Sequence, residues 1–164
     1  MRHYFSQKMI LATVSVCFAL SVNKVGAADW YRWRGPDLNG ISRETKWNPK
    51  WSANGPKQLW KTNVGTGFSS MAVSGGRVYT VGNSGRSRGR EQDTVVCLDA
   101  HTVTIAGSHS FESKLDPKYY AGGPSATPTV DGNRLYTFNK RGRLLCFDAV
   151  KGAVKWELDL AAIL

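Results

Sequence analysis

The chain has 164 residues, with 22 Lys and Arg against 12 Asp and Glu and a formal charge of +10 at pH 7. Such a balance suits anionic partners, but the basic residues are scattered apart from Arg86, Arg88 and Arg90. That scatter, together with an export signal at the N-terminus, excludes nucleic acid as the expected partner.

The first 27 residues have the layout of a secretory signal peptide. Arg2 and Lys8 form the basic start, residues 9–22 are almost wholly apolar, and Val25-Gly26-Ala27 offers small residues for cleavage. The apolar run of 14 residues is short of the roughly 20 that span a bilayer, so no transmembrane span is expected after cleavage. Cys17 follows Val16 rather than a small residue, which argues against lipid attachment. Cleavage leaves 137 residues with 19 basic against 12 acidic groups, or +7. That length suits one domain, and the expected location is the periplasm or the extracellular space.

Residues 28–56 read as an irregular arm rich in Trp, Arg, Gly and Pro, with Trp30, Trp33 and Trp47 packed against something larger. Gly35-Pro36, Asn39-Gly40 and Gly55-Pro56 are its turn signals. Residues 57–64, carrying Trp60, read as a strand. Short strands follow at 69–73 and 77–81 around Ser74-Gly75-Gly76, then at 94–98 and 104–111. The same order returns at 126–130 and 134–138, around Asp131-Gly132-Asn133, and continues through 144–156. The stretch 82–93 reads as a loop, and no segment has a helical period except the last few residues, 160–164.

Two copies of one unit account for this order. Val73-Ser-Gly-Gly-Arg-Val-Tyr-Thr80 aligns with Val130-Asp-Gly-Asn-Arg-Leu-Tyr-Thr137 at an offset of 57. Cys97, Asp99 and Ala100 align with Cys146, Asp148 and Ala149 at an offset of 49, the loop at 82–93 being the longer one. A period in this range points to a repeat architecture. Asp99 and Asp148 are read as turn caps whose carboxylates accept backbone N–H groups, and Gly152 as a positive-φ turn position. Val103 takes that glycine's place in the first copy, so either its turn is expected to be distorted or the aligned loop to differ locally. Trp60 and Trp156 stand almost two periods apart, and the intervening position falls near Gly107, so the first copy lacks its tryptophan. Cys97 and Cys146, at equivalent positions of successive units, are expected one repeat apart, beyond the ~7 Å Cα separation a disulfide allows. They are read as unpaired thiols.

Cys146-Phe-Asp-Ala-Val-Lys-Gly-Ala-Val-Lys-Trp156 resembles the repeat of PQQ-like (quinoprotein-like) β-propellers, and Gly76-Arg-Val-Tyr79 and Asn133-Arg-Leu-Tyr136 fit the preceding hairpin of such a blade. Trp33-Arg-Gly-Pro36 and Asn39-Gly-Ile-Ser42 are similar to the N-terminal arm of BamB-like secreted bacterial propellers, and residues 116–130 to their linker between blades. The resemblance implies an all-β fold: a partial propeller of about two four-stranded antiparallel blades, at about 69–111 and 125–158, plus a closing strand at 57–64. Propellers have 4–8 blades, so the expected object is the N-terminal fragment of a longer protein. Its exposed blade edges invite self-association.

The chemical inventory of the chain is thin. His3 falls in the signal, and His101 and His109 are read as surface residues in or beside a turn. There is no Cys-x-x-Cys, His-Glu-x-x-His, Gly-x-Ser-x-Gly or Walker loop. Gly65-Thr-Gly67 and Gly122-Gly123 are read as close chain entries to inner strands rather than phosphate cradles. The segments 67–70 and 123–127, expected to face the central funnel, offer only small residues and hydroxyls. No catalytic residue, metal ligand or cofactor is assignable; pyrroloquinoline quinone and calcium enter only through the resemblance, for a full-length protein. The favoured reading is a non-catalytic scaffold that binds other proteins. The alternative is the opening part of a quinone-dependent alcohol dehydrogenase.

Overall fold

A computed structural model describes residues 27–45, 47–85, 89–118 and 120–163. The expected signal peptide, with His3 and Cys17, therefore falls outside the described residues but for Ala27. Arg86 and Arg88 also fall outside them. Among the described residues, no helix is long and apolar enough to cross a membrane.

Eight strands form two sheets. The first contains β1 (Ala72–Ser74), β2 (Arg77–Asn83), β3 (Gln92–Asp99) and β4 (Ile105–Glu112); the second contains β5 (Thr129–Asp131), β6 (Arg134–Phe138), β7 (Arg143–Asp148) and β8 (Val154–Asp159). Each sheet is an antiparallel meander in chain order. These are the two blades, and the all-β fold class stands. A short 3-10 turn, Leu160–Ala162, follows β8.

Alternation along the strands explains how the blades meet. In β3, Val95 and Cys97 face one way and Val96 and Leu98 the other. Val95 joins Tyr79, Val81, Phe111, Leu135, Leu145 and Phe147 in the main core between the blades. Val78, Val96 and Leu98 form a second core on the far face of blade 1, covered by Val64, Val73 and Ala100. Among the described residues blade 2 has no such cover: all six residues of β8 are exposed, including Trp156 at 42% and Leu158 at 39%.

Several expectations need correction. The segment 57–64 forms no strand: β4 and β8 leave open edges on the two sheets, but the segment's backbone is bonded to neither. It lies against blade 1 through Val64 and Trp60, and just beyond it Thr66 exchanges two hydrogen bonds with Asn83 at 2.8–2.9 Å. The expected loop at 82–93 is shorter than predicted: Gly82 pairs with Thr94 and Asn83 with Asp93. Asn83 Nδ2 holds this end by donating to Asp93 Oδ1 at 2.8 Å and to the Ser113 carbonyl at 3.0 Å. In the arm, Trp30 bridges Val73 in both directions and Val130 N–H donates to the Tyr31 carbonyl, so 30–31 ties β1 to β5. Trp33 and Trp47 stay 60% and 64% exposed and do not pack as expected.

Candidate functional site

The repeat residues meet at the joint between units. Asp99 Oδ1 accepts the N–H groups of His101 and Thr102 at 2.9 and 2.8 Å, and Asp148 Oδ1 those of Val150 and Lys151 at 3.0 and 2.9 Å. The turns close alike, Val103 N–H on the Asp99 carbonyl at 2.9 Å and Gly152 N–H on the Asp148 carbonyl at 2.8 Å. The first turn is thus undistorted, contrary to expectation. Val103 adopts φ +62°, near the +72° of Gly152, so a β-branched residue bears strain where glycine would not. Backbone N–H donors, from Lys151 first, and then Lys155 hold the Asp148 carboxyl down at about 2. Those of Thr102 and His101 lower Asp99. Both carboxylates are engaged in turn geometry.

Each turn carries an alanine carbonyl that receives the neighbouring unit. Trp60 Nε1 donates to the Ala100 carbonyl at 3.1 Å. At the equivalent Ala149, no indole arrives. Its carbonyl accepts from Tyr79 Oη at 3.0 Å and Arg77 Nη1 at 2.9 Å, and Arg77 Nη1 reaches the Val150 carbonyl at 2.9 Å as well. Reading the sequence did not assign Arg77 and Tyr79 this role. The signal was present in the Arg-x-Tyr shared by Arg77-Val-Tyr79 and Arg134-Leu-Tyr136. Burial pushes the Tyr79 phenol and the half-buried Cys97 thiol up, so both are neutral donors at pH 7. Cys97 and Cys146 are free thiols. Trp156 packs on Tyr136, ring centroids 6.0 Å apart, with its outer side open.

His101 is exposed in its turn. His109 is not beside a turn: it lies within β4, faces blade 2 and meets the Phe147 ring edge-on at 5.3 Å.

The inner segments cross closely. A Cβ on Gly65 would sit 2.4 Å from the Asn83 carbonyl oxygen, and one on Gly123 2.6 Å from that of Thr66. Phe68 N–H donates to the Pro124 carbonyl at 2.7 Å and Ser69 Oγ to that of Ala126 at 3.0 Å. Glycine there serves chain crossing. Beside them Phe68 and Tyr120 form an exposed T-shaped pair at 5.0 Å.

These residues do not fit a quinone–calcium site. Asp99 and Asp148 are spent on turns, Cys97 and Cys146 are not adjacent, and the described residues contain no group of three or more His, Cys, Asp or Glu side chains able to hold a metal.

Residues 91–163 match a protein-family model described as outer membrane protein assembly factor BamB. No curated protein matches the chain. Among solved structures, it is similar to a europium-containing methanol dehydrogenase (14% identity, TM-score 0.48, covering 63% of this chain and 18% of that one). It is also similar to a quinohemoprotein alcohol dehydrogenase from Pseudomonas putida HK5 (21% identity, TM-score 0.38, covering 54% and 12%). The chain thus spans less than a fifth of either enzyme. Residues 91–163, which span the outer half of blade 1 and all of blade 2, thus carry the PQQ-like β-propeller repeat.

Proposed function

We propose that this chain works within an exported, non-catalytic propeller that binds other proteins at its blade faces and edges. The observation that carries the reading is the family match over 91–163, joined to the use made of the repeat residues. Asp99, Asp148 and Trp60 are occupied in building turns and docking units, which leaves the surface as the working part. That surface has a definite character on blade 2, where Phe138, Val154, Trp156 and Leu158 are exposed. Such a patch suits association with protein rather than solvent, including association between copies of this chain.

The test is site-specific photo-crosslinking in cells from Lys155 and Glu157 on β8, with fractionation to establish export. Discrete adducts in the envelope fraction, weakened by Trp156→Ser, are expected. Addition of pyrroloquinoline quinone and calcium to the purified full-length protein is expected to give no alcohol-dependent dye reduction. Quinone-dependent turnover would overturn the scaffold reading in favour of the dehydrogenase.

A further inference from the structure

The arm makes a contact at each of residues 28–31. Ala28 N–H donates to Glu44 Oε1 at 2.7 Å. The Asp29 carboxylate accepts from Ser74 Oγ at 2.8 Å and from Gly75 N–H at 3.2 Å, at the tip of the β1–β2 hairpin. Trp30 exchanges two hydrogen bonds with Val73 at 2.8 and 2.9 Å, and the Tyr31 carbonyl accepts from Val130 N–H at 2.8 Å. This run of contacts starts at the residue that follows Val25-Gly26-Ala27, the small-residue pattern of a cleavage site.

Cleavage there changes what stands beside Glu44. Hydrolysis of the 27–28 peptide bond takes one water, whose OH goes to the Ala27 carbonyl carbon and whose hydrogen goes to the Ala28 nitrogen. The new acid loses a proton and the new amine gains one at pH 7, since an α-amino group titrates at about 7.7–8.0. A neutral amide donor thereby becomes an ammonium, which adds Coulomb attraction to a hydrogen bond already in place. The charged groups around that nitrogen are Asp29, Asp37, Arg43 and Glu44, which line one groove with Ala28. Asp29 is engaged at the hairpin tip, and Asp37 pairs with Arg43 at 2.9 Å. Glu44 is the carboxylate that faces the nitrogen.

We propose that Glu44 is the binding site for the α-ammonium group that signal cleavage creates at Ala28, and that this pairing closes the arm on the blades in the mature chain. Processing then does more than release the chain: it supplies the charge that completes the contact. The effect is modest, because Ala28 and Glu44 both lie at the surface. It acts where it matters, one residue before Asp29 and two before Trp30, which carry the arm onto β1. The inference rests on the export half of the reading above and not on what the blade faces bind, so an absence of crosslinked partners would leave it standing.

The test starts from the full chain, exported and purified, whose intact mass is expected to place the terminus at Ala28. The α-amine is then converted to its ¹³C-dimethyl form and titrated by NMR, in the unsubstituted chain and in Glu44→Gln. It is expected to titrate roughly half a unit higher with Glu44 present at low salt, and the difference is expected to vanish in about 1 M salt. The Trp30 N–H is expected to exchange about twofold faster in Glu44→Gln. A terminus at another residue past the signal, or equal titration in the two chains, would overturn the pairing. Equal exchange at Trp30 would overturn its part in closing the arm. A mass still starting at Met1 would overturn the export reading and this pairing with it.

Discussion

Tyr79 donates its hydroxyl to the carbonyl of Ala149 across the boundary between blades, at 3.0 Å. The equivalent carbonyl of Ala100 receives the indole of Trp60 at 3.1 Å. One acceptor position is thus served by two different donors in successive units, and Arg77 supplies the second bond where the tryptophan is missing. Tyr79→Phe removes one of two donors and leaves the carbonyl bonded to Arg77, so a loss of about 1 kcal/mol is expected. Adding Arg77→Ala leaves the Ala149 carbonyl unsatisfied at a buried position. Urea denaturation of the two single variants and the double variant is expected to give a double-variant loss larger than the sum. Additive losses would show that the two donors act separately.

Val103 carries a strain that its counterpart avoids. Its φ of +62° costs an L-residue on the order of 1–2 kcal/mol, while glycine's freedom in the unfolded chain costs roughly 0.5–1 kcal/mol. Val103→Gly is therefore expected to stabilise the chain by about 0.5 kcal/mol, read as a higher urea midpoint. Gly152→Val, the reverse change, is expected to lower it.

The turns were legible because they are local. An Asp, the two N–H groups beyond it and a positive-φ residue sit within five positions, so Asp99, Asp148 and Gly152 announce their geometry. The hairpin signals Gly75-Gly76 and Gly132-Asn133 are likewise local, and they join β1 to β2 and β5 to β6. What was not legible depends on how one sheet is set on another. Arg77 and Tyr79 lie 72 and 70 residues from Ala149, and no local spacing reports that contact. The segment 57–64 has a strand's composition but is bonded to neither open edge, and pairing is not a property of one segment. His109 was misplaced because β4 is continuous through it. Trp33 and Trp47 were expected to be buried on hydrophobicity alone, which does not decide burial on an irregular arm.

Two glycines of blade 1, one in β2 and one in β4, should respond oppositely to the same change. A Cβ on Gly82 would lie 1.8 Å from the Val64 carbonyl oxygen, where only backbone movement relieves the clash, whereas one on Gly107 meets nothing within 4 Å. Gly82→Ala is expected to cost about 3 kcal/mol or more. Gly107→Ala is expected to gain roughly 0.5 kcal/mol from strand preference. Thermal melts of the two variants would separate them clearly. A tolerated Gly82→Ala would mean that 64–65 does not cross β2 as closely as described.

The caps predict an acid dependence with a definite sign. Asp148 titrates near 2 in the folded chain, held down first by the Lys151 N–H and then by Lys155, whose Nζ lies 3.1 Å from Oδ2. An unfolded Asp titrates at about 3.9. The folded value is the lower one, so the unfolded chain takes up protons first as the pH falls. The stabilisation is fully present above about pH 5 and declines toward pH 2. Asp99 acts in the same direction through the Thr102 and His101 N–H groups. Urea midpoints measured from pH 7 to pH 2 are expected to hold steady and then fall through this window. Asp148→Asn keeps an oxygen for the turn N–H groups but loses the charge facing Lys155. It is expected to lower the midpoint at pH 7 and flatten the acid limb, converging with the unsubstituted chain at pH 2. An acid limb unchanged by Asp148→Asn would mean that carboxylates outside this turn set the pH dependence.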